Sequence, residues 1–149
     1  MIGWLKGVVV EKTAEYAIVE AGGVGYKVLC SATTRDALLP EGGSAALFIH
    51  THVRENEITF FGFSGRREKE LFERLISVSD IGPRKALGIL SGTGPGELVR
   101  AIRTGNLAVL IALPGVGKKT AERLVVEMRD KIKGLEEEGT PAGGRAVTP

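Results

Sequence analysis

Residues 113–124, LPGVGKKTAERL, set two glycines ahead of two lysines and a threonine at the head of an apolar-periodic run. Glycine lets a main chain approach an oxyanion without a Cβ clash. Amides at a helix start are unpaired and carry partial positive charge, and lysines add full charge. The chemistry on offer is phosphate binding, and the question is whose phosphate. A nucleotide would make the chain an NTPase, and a nucleic-acid backbone would make it a DNA or RNA binder. A third option makes Lys119 a nucleophile.

The nucleotide reading fails on residue type. A P-loop needs glycine, four residues, then Gly-Lys-Ser/Thr after a strand. Counting back from Gly117-Lys118 puts Ala112 at the first glycine, and Lys119 stands where the magnesium ligand belongs. The preceding segment is helical in pattern. The clusters AGGVG (21–25) and GTGPG (92–96) do not fit Gly-x-Gly-x-x-Gly and read as a strand turn and a helix link.

The backbone reading gains from a repeat. VSDIGPRKALGIL (78–90) aligns with LPGVGKKTAERLV (113–125) at an offset of 35, so that Ile81 meets Val116, Gly82 meets Gly117, Arg84 meets Lys119 and Ala86 meets Ala121. Each copy has an apolar helix, a tight apolar-Gly turn and a basic helix start, which is a helix–hairpin–helix unit present twice. The candidate phosphate contacts are Ile81, Gly82, Arg84 and Lys85 in the first copy. In the second they are Gly115, Val116, Gly117, Lys118 and Lys119, with Arg123 one turn further along. Such contacts give affinity and position without reading bases. Pro83 suits the first turn of its helix. The bland alternative is that Gly-x-Gly is a tight interhelical turn and nothing more.

These hairpins need a scaffold, and the chain supplies two kinds. Residues 1–63 read as five short strands rich in Val, Ile, Phe and Tyr: GWLKGVVVEK, YAIVEA, GYKVLC, AALFIHTHV and EITFFGF. A small closed sheet of OB type is the economical arrangement, with residues 33–39 as a helical turn between strands three and four. After residue 63 the apolar period changes to that of helices, with Leu71, Phe72, Leu75 and Ile76 on one face. The expected class is therefore α+β: a barrel over 1–63, a helical domain over 64–134, and a flexible tail over 135–149.

Composition is consistent with this. The chain has 149 residues, 43% of them hydrophobic, and one cysteine, Cys30, so neither a disulfide framework nor a cysteine metal cluster is expected. No secretory signal is expected, and a cytoplasmic location fits. Residues 1–63 carry net −2, residues 64–134 net +6 and the rest net −2. A basic middle suits a polyanion, or is an ordinary solvated helical surface. His50 and His52 share one strand face without further ligands to complete a metal site, so they read as packing, and no cofactor is expected.

Two resemblances bear on function. LPGVGKKTA resembles the hairpin of helix–hairpin–helix DNA glycosylases, in whose bifunctional members a lysine forms a Schiff base, so Lys119 is the matching candidate. Those enzymes also need a downstream aspartate and a second lobe, and the acids at 136–138 fall in the tail. More extensively, MIGWLKGVVVEK, EAGGVGYKV, HVRENE, FFGF, DIGPRKALGILSG and LPGVGKKTAERLVVEMRDK resemble the RuvA family in order and spacing over roughly residues 1–135. That resemblance implies a Holliday-junction-binding subunit of a branch-migration complex in recombination, repair and the SOS response. It implies an OB-type barrel, a double helix–hairpin–helix domain and a homotetramer, or paired tetramers as an octamer, holding the four-way junction open and square. It implies no catalysis by the chain itself. The partners would be junction DNA, the hexameric ATPase motor RuvB, recruited through a small C-terminal domain, and a junction resolvase. The chain stops at Pro149, inside what would be the linker, so that domain is expected to be missing and the chain to be a fragment.

The resemblance gives meaning to Arg54-Glu55-Asn56-Glu57, which by itself reads as a solvated hairpin tip. In the family this turn is an acidic pin at the junction centre, with Glu55 and Glu57 here supplying the charge and Arg54 touching backbone. Asn56 stands where a second acid is usual. Asp80 stands where the first hairpin usually has glycine, so that hairpin is expected to bind less well than the second. The alternatives are a generic helix–hairpin–helix duplex binder and a glycosylase/lyase using Lys119.

Overall fold

The computed structural model describes residues 1–137, in two compact units, Met1–Lys69 and a second from Glu70 onward.

The first unit is a closed five-stranded barrel. Its strands are β1 (Trp4–Lys12), β2 (Tyr16–Ala21), β3 (Val24–Cys30), β4 (Ser44–Val53) and β5 (Ile58–Phe63), in the order β1-β2-β3-β5-β4. All pairings are antiparallel except β3 with β5, which closes the barrel through Val28↔Phe60, Leu29↔Phe61 and Cys30↔Gly62. Long β1 pairs on both edges, and a register shift between Val9 and Glu11 lets it curl. Alternation sends Leu5 and Val9 inward to meet Val19, Val28, Leu47 and Ile49, while Lys6, Val8 and Val10 face out. Closure needs a glycine at position 7, because a Cβ there would lie 2.1 Å from the Glu20 carbonyl oxygen. The barrel is of OB type, as the sequence pattern implied.

A short helix, α1 (Ala32–Ala37), joins β3 to β4, its start capped by the Ser31 hydroxyl, which accepts from the Thr34 N–H. The next helix, α2 (Arg66–Leu75), is anchored to this corner by Glu68. The Glu68 carboxylate is buried and accepts from Ser31 Oγ at 3.1 Å and Thr34 Oγ1 at 2.7 Å. Burial raises the Glu68 carboxyl above its ordinary range, against the pull of the two hydroxyl donors. Burial likewise pushes the neighbouring Cys30 thiol up to about 12, with Glu68's charge adding to it, so Cys30 is an inert core group.

The second unit is helical. After α2 come α3 (Pro83–Gly92), α4 (Pro95–Thr104), α5 (Leu107–Ile111), α6 (Lys118–Met128) and α7 (Lys133–Glu137). Its boundaries follow local chemistry. Pro83 and Pro95 start α3 and α4, Gly105 ends α4 in the left-handed region at φ +67, and Asn106 caps α5 through the Val109 N–H. The core is built from the apolar face of each helix, with Leu71, Phe72, Leu90, Ile102, Leu110 and Leu124 fully buried.

The sequence reading placed a flexible tail from residue 135. The structure carries helix to Glu137, with Leu135 fully buried. Ile132 and Leu135 lie one turn apart and face the core, and Arg74 donates to the Lys131 carbonyl just before the helix. The charged and Gly-rich composition that follows hid that short apolar pair. The rest of the expected tail, 138–149, lies outside the described residues.

Candidate nucleic-acid interface

The two hairpins have the same backbone. In the first, Asp80 has φ +68; in the second, Gly115 has φ +74. The next residue is buried in both, Ile81 and Val116, and donates its N–H three residues back, to Val78 O and Leu113 O, at 3.1 Å in each case. The third residue is the N-cap glycine, Gly82 or Gly117, extended at φ −89 and −94. The left-handed residue reverses the chain, the apolar residue pins the turn into the core, and the glycine opens the helix.

Neither N-cap offers a side-chain acceptor to its helix. The first intrahelical bonds begin at Ala86, to Gly82 O, and at Ala121, to Gly117 O. Arg84 and Lys85 therefore have no intrahelical acceptor for their N–H groups, and neither do Lys118, Lys119 and Thr120. A Cβ built at Gly82 or Gly117 would meet nothing within 4 Å, so the space before each helix start is open. Arg84, Lys118 and Lys119 are exposed there, and Lys85 is half-buried. This arrangement can hold an oxyanion by main-chain amides backed by full positive charge.

The hairpins also lean on each other's helices. A Cβ on Gly115 would sit 4.0 Å from Lys85 Cγ, so the second turn lies against the first turn of α3. Gly92, at the end of α3, is so close to the second hairpin that a Cβ would fall 2.8 Å from Pro114 Cδ. In the other direction, Asp80 of the first turn forms an ion pair with Arg123 of α6. Ser79 donates its N–H to Glu127 Oε1 at 3.3 Å, and Glu127 Oε2 lies 3.8 Å from Arg123 Nε. Arg123 is thus engaged by two carboxylates. Sequence reasoning missed this partnership, since 43 residues separate its ends and no local pattern joins them.

The remaining candidates lie on the barrel. Arg54, Glu55, Asn56 and Glu57 form the exposed tip between β4 and β5, closed by the Arg54 N–H to the Glu57 carbonyl at 2.8 Å. All four line one small concavity, so Glu55 and Glu57 border the same space. The last strand pair beneath the tip, Val53↔Ile58, is apolar and exposed. His50 and His52 have ring centroids 6.1 Å apart, and both rings lie against Phe61.

Comparison with known proteins matches both units. The RuvA N terminal domain family matches residues 1–62, and the SAM-like helix-hairpin-helix tandem family matches residues 72–130. A protein of Solibacter usitatus, named Holliday junction branch migration complex subunit RuvA, is 49% identical over 100% of this chain and 76% of its own length. Relatives of the same name from Geobacter sp. (strain M21) and Cronobacter sakazakii are 48% and 46% identical, over 97% and 99% of this chain and 72% and 73% of their own lengths. With both units matched in order and nearly half of all positions identical along the whole length, the chain belongs to the RuvA family.

Proposed function

We propose that this chain binds four-way DNA junctions as a homotetramer and holds them open and square while a partner motor drives branch migration. The observation that carries this reading is the pair of hairpins with one backbone shape, each ending in an uncapped glycine before open space and a basic helix start. Residues 81–85 and 115–119 hold backbone phosphates at two places on one duplex arm, with Arg123 in support. The tip at 54–57 is the acidic pin. Glu55 and Glu57 repel phosphates at the crossover and discourage plain duplex from the same surface, and Arg54 touches backbone. Residues 1–63 serve as the barrel domain, 64–134 as the DNA-binding domain and 135–149 as a linker. The chain does no chemistry of its own. ATP hydrolysis belongs to the hexameric motor RuvB, the relatives' name being that of a branch-migration subunit. The setting is cytoplasmic recombination and repair.

The test is a paired titration of an immobile four-way junction and a linear duplex of the same sequences, each at several salt concentrations. A strong junction preference with a steep salt slope supports the reading. Equal affinity for both probes overturns the junction claim and leaves a duplex-gripping module. A borohydride-trapped adduct lost in Lys119→Ala would instead reveal a lyase.

A further inference from the structure

This inference rests on the reading that the hairpins hold DNA backbone. Arg123 projects from the helix that the second hairpin opens, and a guanidinium is well suited to a phosphate. In the free chain it is occupied. Asp80, from the turn of the first hairpin, pairs with it, and Glu127 flanks it on its own helix. Asp80 is also in an unusual place. It takes a positive φ that favours glycine, and glycine fills the equivalent position, 115, in the second copy. Backbone geometry alone gives no reason for a carboxylate at Asp80; the ion pair does.

We propose that Asp80 is an internal stand-in for phosphate, which occupies Arg123 in the free protein and must be displaced before Arg123 can grip DNA. The pair is suited to exchange. Side-chain exposure is 41% for Arg123 and 75% for Asp80, and ion pairs this open are weak. A phosphate arriving with other contacts can take the guanidinium, whereas one arriving by itself gains little. The grip of the hairpin pair is thereby lowered, and lowered most for ligands that make few contacts. Glu127 stays behind as the tie between α6 and the first turn, through the Ser79 N–H.

The test is a double-mutant cycle on junction and duplex affinity at fixed salt. Asp80→Asn removes the charge and keeps a residue that accepts positive φ. It is expected to tighten binding about two- to fivefold, the scale of an exposed ion pair. In an Arg123→Gln background the same change is expected to do nothing, because the gain acts through Arg123. A gain that persists without Arg123 shows simple repulsion between Asp80 and DNA and overturns the inference. So does the absence of any gain, or a loss, since a mere brace between the two repeats would lower thermal stability without tightening binding. Asp80→Gly repeats the measurement with a residue free of backbone strain. Wild-type chain that binds neither probe overturns the parent reading and this inference with it; wild-type binding unchanged by Asp80→Asn overturns this inference alone.

Discussion

The two hairpins share a backbone and differ in charge. The first carries Asp80, Pro83, Arg84 and Lys85; the second carries Gly115, Gly117, Lys118 and Lys119. Positive φ at the turn, a buried apolar residue after it and an uncapped glycine suffice to reproduce the shape, down to the same 3.1 Å turn bond. Grip is set separately. Pro83 removes one of the amides that α6 keeps, and Asp80 brings a negative charge to the turn where the second hairpin has none. Shape and affinity are therefore written in different positions of the motif, and one copy can be weakened without being unfolded. The account makes the second hairpin the principal phosphate site and the first an auxiliary one.

Charge removal should sharpen that contrast most. Lys118→Ala with Lys119→Ala is expected to weaken junction binding about ten- to a hundredfold and to lower the log–log salt slope by about 1.8, for two lost phosphate contacts. Arg84→Ala with Lys85→Ala is expected to cost about three- to tenfold in the same titration. Equal losses would erase the asymmetry. Backbone changes come next. Gly115→Ala forces a Cβ into the left-handed region at φ +74 and is expected to cost about 1–2 kcal/mol in denaturant unfolding. Asp80→Ala is expected to cost less than about 1 kcal/mol, because a side chain already occupies that conformation and the lost ion pair is exposed. A larger cost at position 80 than at 115 would contradict the reading of the two turns.

The smallest effect should come from outside both hairpins. Glu68 is buried with its carboxyl raised, so the native state keeps a proton that the unfolded chain has lost. The stability contributed by protonated Glu68 is complete below the unfolded value and is lost as pH rises through the raised folded value. Glu68→Gln should remove that fall, leaving unfolding temperature similar to wild type in acid and about 2–5 °C higher at pH 8. Its DNA affinity should match wild type. Glu68→Ala, which strands the Ser31 and Thr34 hydroxyls, should instead destabilise at every pH, by about 1–3 kcal/mol.

Much of this was legible in the chain because its signals are local. Five strands bounded by Gly, Pro and Asn turns, and a repeat at an offset of 35, gave the barrel, the helices and the paired hairpins. Asp80 as a turn residue was readable from its alignment with the glycine position. Its partner was not, because an ion pair between a turn and a helix far along the chain has no sequence period. Glu68 read as one more charge on an amphipathic helix, and only tertiary packing set its hydroxyl partners beside it. Leu135 was obscured by the charged and Gly-rich residues after it, which outweighed a single apolar pair.

The central claim is that the uncapped helix starts at Gly82 and Gly117 hold DNA backbone through their amides. Hydrogen–deuterium exchange of the whole chain, free and bound to a four-way junction, tests it directly. The account predicts new protection in peptides covering 81–86 and 116–121, greater in the second. Tight junction binding with no protection in either segment would contradict it.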